Sequence, residues 1–239
     1  MFGGALAGLF GARALPLHHR SKESAAVVKL SATVVASLTS LVLALMLSSA
    51  SSAYSVNAGI VTKLSSDIIQ LDHMLRAYGA EANEARANLR AYASRKNDEL
   101  FPEATAPSTA ARETSDLLDT LLDSILLLSP TGRRHTALAS QALTITNNIY
   151  AERWLLWENP GTTVPVQFLV VMTFWLGLIF VSFGLFAPVN LTVIASFFLS
   201  SLAVTGAIFL ILELGDPMHG WVQVSGDALR RALIEIGRP

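Results

Sequence analysis

There is no cysteine anywhere in the 239 residues. That excludes disulfides, thiolate metal sites, cysteine-ligated iron–sulfur clusters and cysteine nucleophiles. Charge is scarce as well: only 15% of residues are Asp, Glu, Lys or Arg, against roughly 25% in ordinary soluble domains. The formal net charge of −1 gives no reason to expect nucleic acid or a strongly anionic partner. Enzyme signatures are missing too. No Gly-rich phosphate loop, HExxH, GxSxG or CxxC occurs, and five scattered histidines with unconnected serines make no triad. The chain is therefore not expected to be an enzyme or to hold a cofactor. No strand pattern and no internal repeat is visible.

What the chain has in quantity is apolar sequence, gathered in blocks. Val166 to Leu185 (VQFLVVMTFWLGLIFVSFGL) carries no charge, and a helix of that length is about 30 Å long, the thickness of a bilayer's hydrocarbon core. After FAPVN, where Pro188 cannot continue a helix, Leu191 to Leu212 is a second uncharged run. So short a connection implies an antiparallel hairpin. A third span runs from Leu30 to Ala50, rich in Ser and Thr but free of charge; hydroxyls are tolerated in lipid because they bond back to a carbonyl one turn earlier. The first segment, MFGGALAGLFGARALPL, offers only twelve residues before Arg13, about 18 Å of helix, and reads as a short or partial fourth membrane helix. Gly4 and Gly8, four residues apart, allow another helix to approach closely.

Basic residues orient the spans. Arg13, Arg20, Lys22 and Lys29 crowd the connector after the first segment, whereas Lys63, Arg153, Arg230 and Arg231 are sparse near the other ends. The positive-inside rule places the 13–29 loop in the cytoplasm and the large middle region on the other side.

That middle region, residues 51–163, is helical by pattern. Val61, Leu64, Ile68, Leu71, Leu75 and Tyr78 form a heptad seam. The same register continues back through Asn57 and Tyr54 with no intervening proline, so this helix is expected to grow straight out of the third span, with Gly79 as its stop. A second helix from Glu81 to about Lys96 packs with Ala82, Ala85, Leu89 and Tyr92. FPEATAPS is a loop, and Ser108 or Ser115 caps a third helix through Leu128, leucine-rich on nearly two faces and so expected to be buried between neighbours. SPTG turns into a fourth helix carrying Leu138, Ala142, Ile145 and Ile149 on one face, and ENPGTTVP breaks it.

Three stretches resemble the bestrophin-like domain family of bacterial membrane proteins. LILEL followed by GDPMHG is similar to the family's Leu-Glu-Leu, acidic, basic, Pro-Phe-small-Gly exit from its last span. LDHMLRAYGAEANEARANLRAYA resembles its first extramembrane helices, with Tyr78-Gly79, Arg86 and Arg90 in place. DELFP, Asp98 to Pro102, resembles its acidic-aromatic-Pro element. The departures are Pro217-Met218 for the family's Pro-Phe, Asp216 for its basic residue, and a first span that is short. The resemblance implies a four-span helical membrane protein with distant kinship to pentameric anion channels.

The fold class expected is all-α: a polytopic membrane protein with three clear and one short transmembrane helix, plus an extramembrane bundle of about four helices. The divisions are 1–50, 51–163, a transmembrane hairpin over 164–214, and an amphipathic tail over 215–239. In the tail, Ser225 caps a short helix with Leu229, Leu233 and Ile236 on one face, lying on the membrane or on the helical domain.

Two groups of residues are candidate sites. Glu213, Asp216 and His219 recur at three-residue spacing, which on one continuous helix would gather two carboxylates and an imidazole for a cation or a proton. Pro217 interrupts that helix, so a membrane exit is the favoured reading: Pro217 and Gly220 turn the chain and Trp221 anchors among the headgroups. Glu213, about a turn inside, needs a partner or water. Thr33, Ser37 and Ser40 share one face, continued by Ala44, Ser48 and Ser51. Such a stripe either lines an aqueous pathway or permits close helix packing, the latter being favoured. His18 and His19 are read as solvated in a basic loop, and Asn190-Leu191-Thr192 as no glycan acceptor, since it sits at the hairpin tip. Asp72 and Arg76 are expected as an i,i+4 pair, and Arg86 and Arg90 as reaching separate acids such as Asp72 or Glu84.

Two functions compete. One is a homo-oligomeric ion channel, anion-selective by kinship; the other is a non-catalytic subunit of a larger membrane complex. The bilayer is a partner in both, and nucleic acid in neither. A sensor would need an output module, which the chain does not contain. The expected location is a bacterial inner membrane.

Overall fold

The computed structural model describes residues 1–12, 22–102, 110–158, 166–218 and 221–238. Eight helices and one short 3-10 turn make up the described chain. They are α1 (Phe2–Gly11), α2 (Lys22–Tyr78), the turn Ala80–Ala82, α3 (Asn83–Leu100), α4 (Ala110–Leu126), α5 (Gly132–Glu158), α6 (Val166–Leu185), α7 (Leu191–Gly215) and α8 (Asp227–Ile236). Among the described residues there is no strand. The chain divides into two compact units: Met1–Ala53 with Thr162–Asp216, and Tyr54–Gly161 with Pro217–Pro239.

The first unit is a membrane domain. Three helices are long and apolar enough to cross a bilayer: α2, α6 and α7. Their outward faces carry Leu38, Leu41 and Leu45, then Phe168 and Phe174, then Phe198 and Leu202, all exposed. Contiguous apolar surface of this extent is disfavoured in water and is what lipid covers. The short α1 lies against both α6 and α7. It fits because glycines remove side chains at the contact. A Cβ on Gly8 would overlap the Val181 carbonyl, one on Gly184 would overlap that of Ala5, and one on Gly4 would lie 3.1 Å from the Gly177 carbonyl oxygen. The first-turn N–H of Phe2 donates to Ser201 Oγ at 3.0 Å, satisfying a donor that has no carbonyl within its own helix. The Phe2 and Phe198 rings meet edge to face at 5.6 Å. At the hairpin tip, Asn190 caps α7 by accepting from Val193 N at 2.8 Å.

The second unit is a helical bundle with its own apolar core. The uncharged stretch of α2 passes without a break into the heptad seam, a helix of 57 residues in all. Leu64, Ile68, Leu71 and Leu75 are fully buried in a core with Leu89, Tyr92, Leu118, Leu121, Ile145 and Ile149. Each such leucine or isoleucine contributes roughly 2 kcal/mol by leaving water. Gly79 ends α2 at φ 114°, a backbone region that residues with a Cβ rarely adopt. The expected tail helix is present as α8. Ser225 Oγ accepts from Asp227 N at 3.2 Å, and Leu229, Ala232 and Ile236 are buried in the core of the bundle.

Two details differ from the sequence reading. Only one face of α4 is buried, through Leu118, Leu121 and Ile125, while Leu117 and Leu122 are half-buried and Leu126 is 60% exposed. The reason is that α4 packs chiefly against α3 and less against α5, so no neighbour covers its far side. Ser115 lies inside α4 rather than capping it; Ser108, His18, His19 and most of ENPGTTVP lie outside the described residues.

Candidate functional site

The residues singled out from the sequence fall in two places. Glu213 sits in the last turn of α7, half-buried, and its carbonyl accepts from Asp216 N at 3.3 Å. Asp216 ends the helix with φ −123° and ψ 77°, so Glu213 and Asp216 are not on one continuous helical face. Pro217 is buried, and its carbonyl accepts from Val224 N at 2.9 Å, closing the loop that follows. Trp221 is 93% exposed. His219 and Gly220 lie outside the described residues. Among the described residues, no group of three or more His, Asp or Glu is placed to hold a metal ion.

Thr33, Ser37 and Ser40 are all exposed on α2. Their hydroxyls donate to the carbonyls four residues earlier, at 2.8, 3.0 and 2.9 Å. Ser48 and Ser51 continue the stripe, also exposed, whereas the buried positions of this part of α2 are Ala32, Thr39 and Ala50. The helix thus packs inside its own unit by a different face, and the hydroxyl face is left exposed among the described residues of that unit.

Sequence stretches far apart in the chain meet in the second unit. The Phe101 ring of DELFP packs on Gly226, where a Cβ would lie 3.0 Å from ring carbon Cδ2. Phe101 and Pro102 share a cleft of about 490 Å³ with Met218, Trp221 and Arg230. Tyr54 closes the same region by donating to the Gln223 carbonyl at 3.1 Å. Two of the three motifs that carry the family resemblance are therefore parts of one construction, the junction between the end of α3 and the chain leaving α7.

The arginines are fixed by buried acceptors. Asp72, 1% exposed, takes Arg86 Nε at 2.9 Å and Arg76 Nη2 at 3.0 Å. Arg76 also donates to the Arg238 carbonyl at 3.2 Å, and Arg90 Nε to the Ile236 carbonyl at 2.7 Å. Arg86 thus reaches the acid expected of it. Arg90 instead satisfies the C-terminal carbonyl of Ile236 in α8, one of the groups that a helix end leaves unpaired.

Two buried polar clusters were not singled out in the sequence. Lys96, 2% exposed, pairs with Glu99 at 2.8 Å; burial pulls its ammonium below its ordinary value, partly opposed by Glu99. Lys63 on α2 lies 2.9 Å from Glu152 on α5, whose side chain is 2% exposed. Burial is the largest cause raising the Glu152 carboxyl from 4.5 to about 7; the Lys63 ammonium opposes the rise and the Asp67 carboxylate adds to it. The sequence signal available was weak: a charge at Asp67 beside the heptad seam and one at Glu152 beside the apolar face of α5.

No curated protein and no solved structure matches the chain significantly. A family model does: the Bestrophin-like domain matches residues 1–229, covering α1, all three long apolar helices and the exit loop together. With the exit after LILEL, the Tyr78-Gly79 stop and the DELFP junction each in place, the chain belongs to the bestrophin-like family.

Proposed function

We propose that this membrane protein is a homo-oligomeric ion channel in which the hydroxyl face of α2 faces the ion pathway or the neighbouring copy. The single observation that carries the reading is the exposed stripe of Thr33, Ser37 and Ser40, which no described element of its own unit covers. A stripe of small hydroxylated residues in a spanning helix either replaces part of an ion's hydration or brings a second helix close, and a ring of copies uses both. In the observed rotamers each hydroxyl hydrogen points back to a carbonyl, so oxygen lone pairs face outward. That arrangement suits a cation as it stands; an anion needs the hydroxyls to turn outward. Glu213, at the end of the last span, is the residue we assign to the mouth of the pathway. By the positive-inside rule the basic segment 13–29 is cytoplasmic and the helical domain lies on the non-cytoplasmic side of a bacterial inner membrane.

A second reading is an accessory subunit of a larger complex. It is favoured by apolar side chains left open on the bundle: Leu126, Leu127 at 79% exposure, and Trp154. Native mass determination of the complex, extracted in mild detergent with its co-purifying chains identified, separates the two. A closed ring of identical copies supports the channel and calls for flux recordings from reconstituted vesicles. A fixed stoichiometry with unrelated subunits overturns it.

A further inference from the structure

The pair formed by Asp67 and Glu152 is the part of the molecule that a structural role explains least. Their side chains come from different helices, α2 and α5, and both are buried, with Asp67 at 7% and Glu152 at 2% exposure. Ionised carboxylates accept hydrogen bonds and donate none. Asp67 Oδ2 and Glu152 Oε2 are buried without a hydrogen-bond donor among the described residues. The Lys63 ammonium meets the other oxygen of Glu152, Oε1, at 2.9 Å, and its side chain is 62% exposed. One cation reaching in from the surface faces two carboxyl groups, so the site is one positive charge short of neutrality.

A single proton removes both defects together. It cancels the residual charge, and it turns one carboxyl into an O–H donor aimed at acceptors that have none. Two carboxyl groups held side by side in a poorly solvated place have this property generally: the first proton binds far more readily than the second.

We propose that Asp67 and Glu152 bind one proton between them, forming a carboxylic acid–carboxylate pair that clasps α2 to α5. The other groups facing the pair are Lys63 on α2 and the Tyr92 hydroxyl on α3. Arg153, the neighbour of Glu152 on α5, acts on Tyr92 and Lys96. Tyr92 is fully buried, and burial raises its hydroxyl above the ordinary value, so it stays protonated and does not compete. The placement gives the proton a lever. α2 is a spanning helix toward its N-terminus, and α5 is the last helix before span α6 in the chain. Losing the proton sets two carboxylates against each other at the point where these two helices are held together. The proposal stands whether or not the protein conducts ions.

The test is pH-difference infrared spectroscopy of the full-length protein in detergent, following the C=O stretch of protonated carboxylic acids. One buried acid band is expected to titrate out near pH 7, in line with the raised Glu152 carboxyl. It should vanish in Glu152→Gln and persist in Glu213→Gln, which controls for the carboxyl at the end of α7. Asp67→Asn removes the repelling charge and is expected to move the midpoint to lower pH. Lys63→Met removes the ion-pair partner and moves it to higher pH. These opposite shifts do not depend on Glu152→Gln folding well. A band unchanged in Glu152→Gln, or the absence of any acid titrating between about pH 5 and 8, overturns the proposal. So does a midpoint driven down by millimolar calcium or magnesium, which would make a metal cation the ligand.

Discussion

Gly8 of α1 rests on the backbone of Val181 in α6 so closely that no Cβ fits between them. Gly184 makes the reciprocal approach to Ala5. A helix too short to cross a membrane is thus held by backbone-to-backbone packing, with Ser201 accepting from Phe2 N.

Gly8→Val and Gly184→Val are each expected to lower the thermal unfolding midpoint of the detergent-solubilised protein, by the equivalent of about 1–3 kcal/mol of overpacking. Gly3→Val is the control, since nothing lies within 4 Å of its Cβ position. An equal loss in all three would show that helix propensity, and not the contact, is being measured.

Asp72→Ala leaves Arg86 and Arg76 facing a buried gap where their shared carboxylate was. The expected destabilisation is about 3 kcal/mol, because a charge desolvated for its partner loses that partner. Asp72→Asn keeps an acceptor in place and should cost less. The measurement is thermal unfolding of the two variants side by side.

Leu229→Ala removes a fully buried side chain from α8 and should cost about 2–4 kcal/mol. Leu229→Asp goes further and detaches the tail, so limited proteolysis should cleave after residue 225 in that variant and not in the wild type.

The Glu152 carboxyl gives stability a direction with pH. Folding raises it from 4.5 to about 7, so between those values the folded chain holds a proton that the unfolded chain has released. Stability conferred by this group is full below about pH 4.5, declines as pH rises, and reaches its floor above about pH 7. Glu152→Gln should flatten the slope and unfold at higher temperature than the wild type at about pH 8. A variant that keeps the wild-type slope would assign it to another group.

Replacing Thr33, Ser37 and Ser40 together by Val or Ala preserves helix and hydrophobicity while removing the hydroxyls. If the stripe lines the ion pathway, flux in reconstituted vesicles should fall by at least about tenfold with oligomeric mass unchanged. Loss of the oligomer itself would make the stripe a packing surface.

The elements whose partners lie nearby in sequence were legible. The seam from Val61 to Tyr78 read correctly because heptad spacing fixes which side chains share a helix face, and Gly79 read as its end because few residues tolerate that backbone region. The Gly4 and Gly8 pair announced a close helix, though not which one. The sequence points Arg90 toward an acid, whereas in the fold it meets the carbonyl of Ile236, since local sequence does not show which helix end will be left open beside it. The leucines of α4 point to cover on two sides, yet leucine content measures how much can be buried, not how many neighbours arrive.

The sequence by itself determined that the protein crosses a membrane, with which segments, and as helices throughout. Those outcomes follow from uncharged length and periodicity, which act over a few turns of chain. Only the tertiary structure decided which face of α2 is left free, that DELFP and the exit loop share one cleft, and that Asp67 meets Glu152. Each of these depends on residues from distant elements being brought together. A carboxyl group acquires an unusual proton affinity only when packing takes its water away and puts another charge beside it.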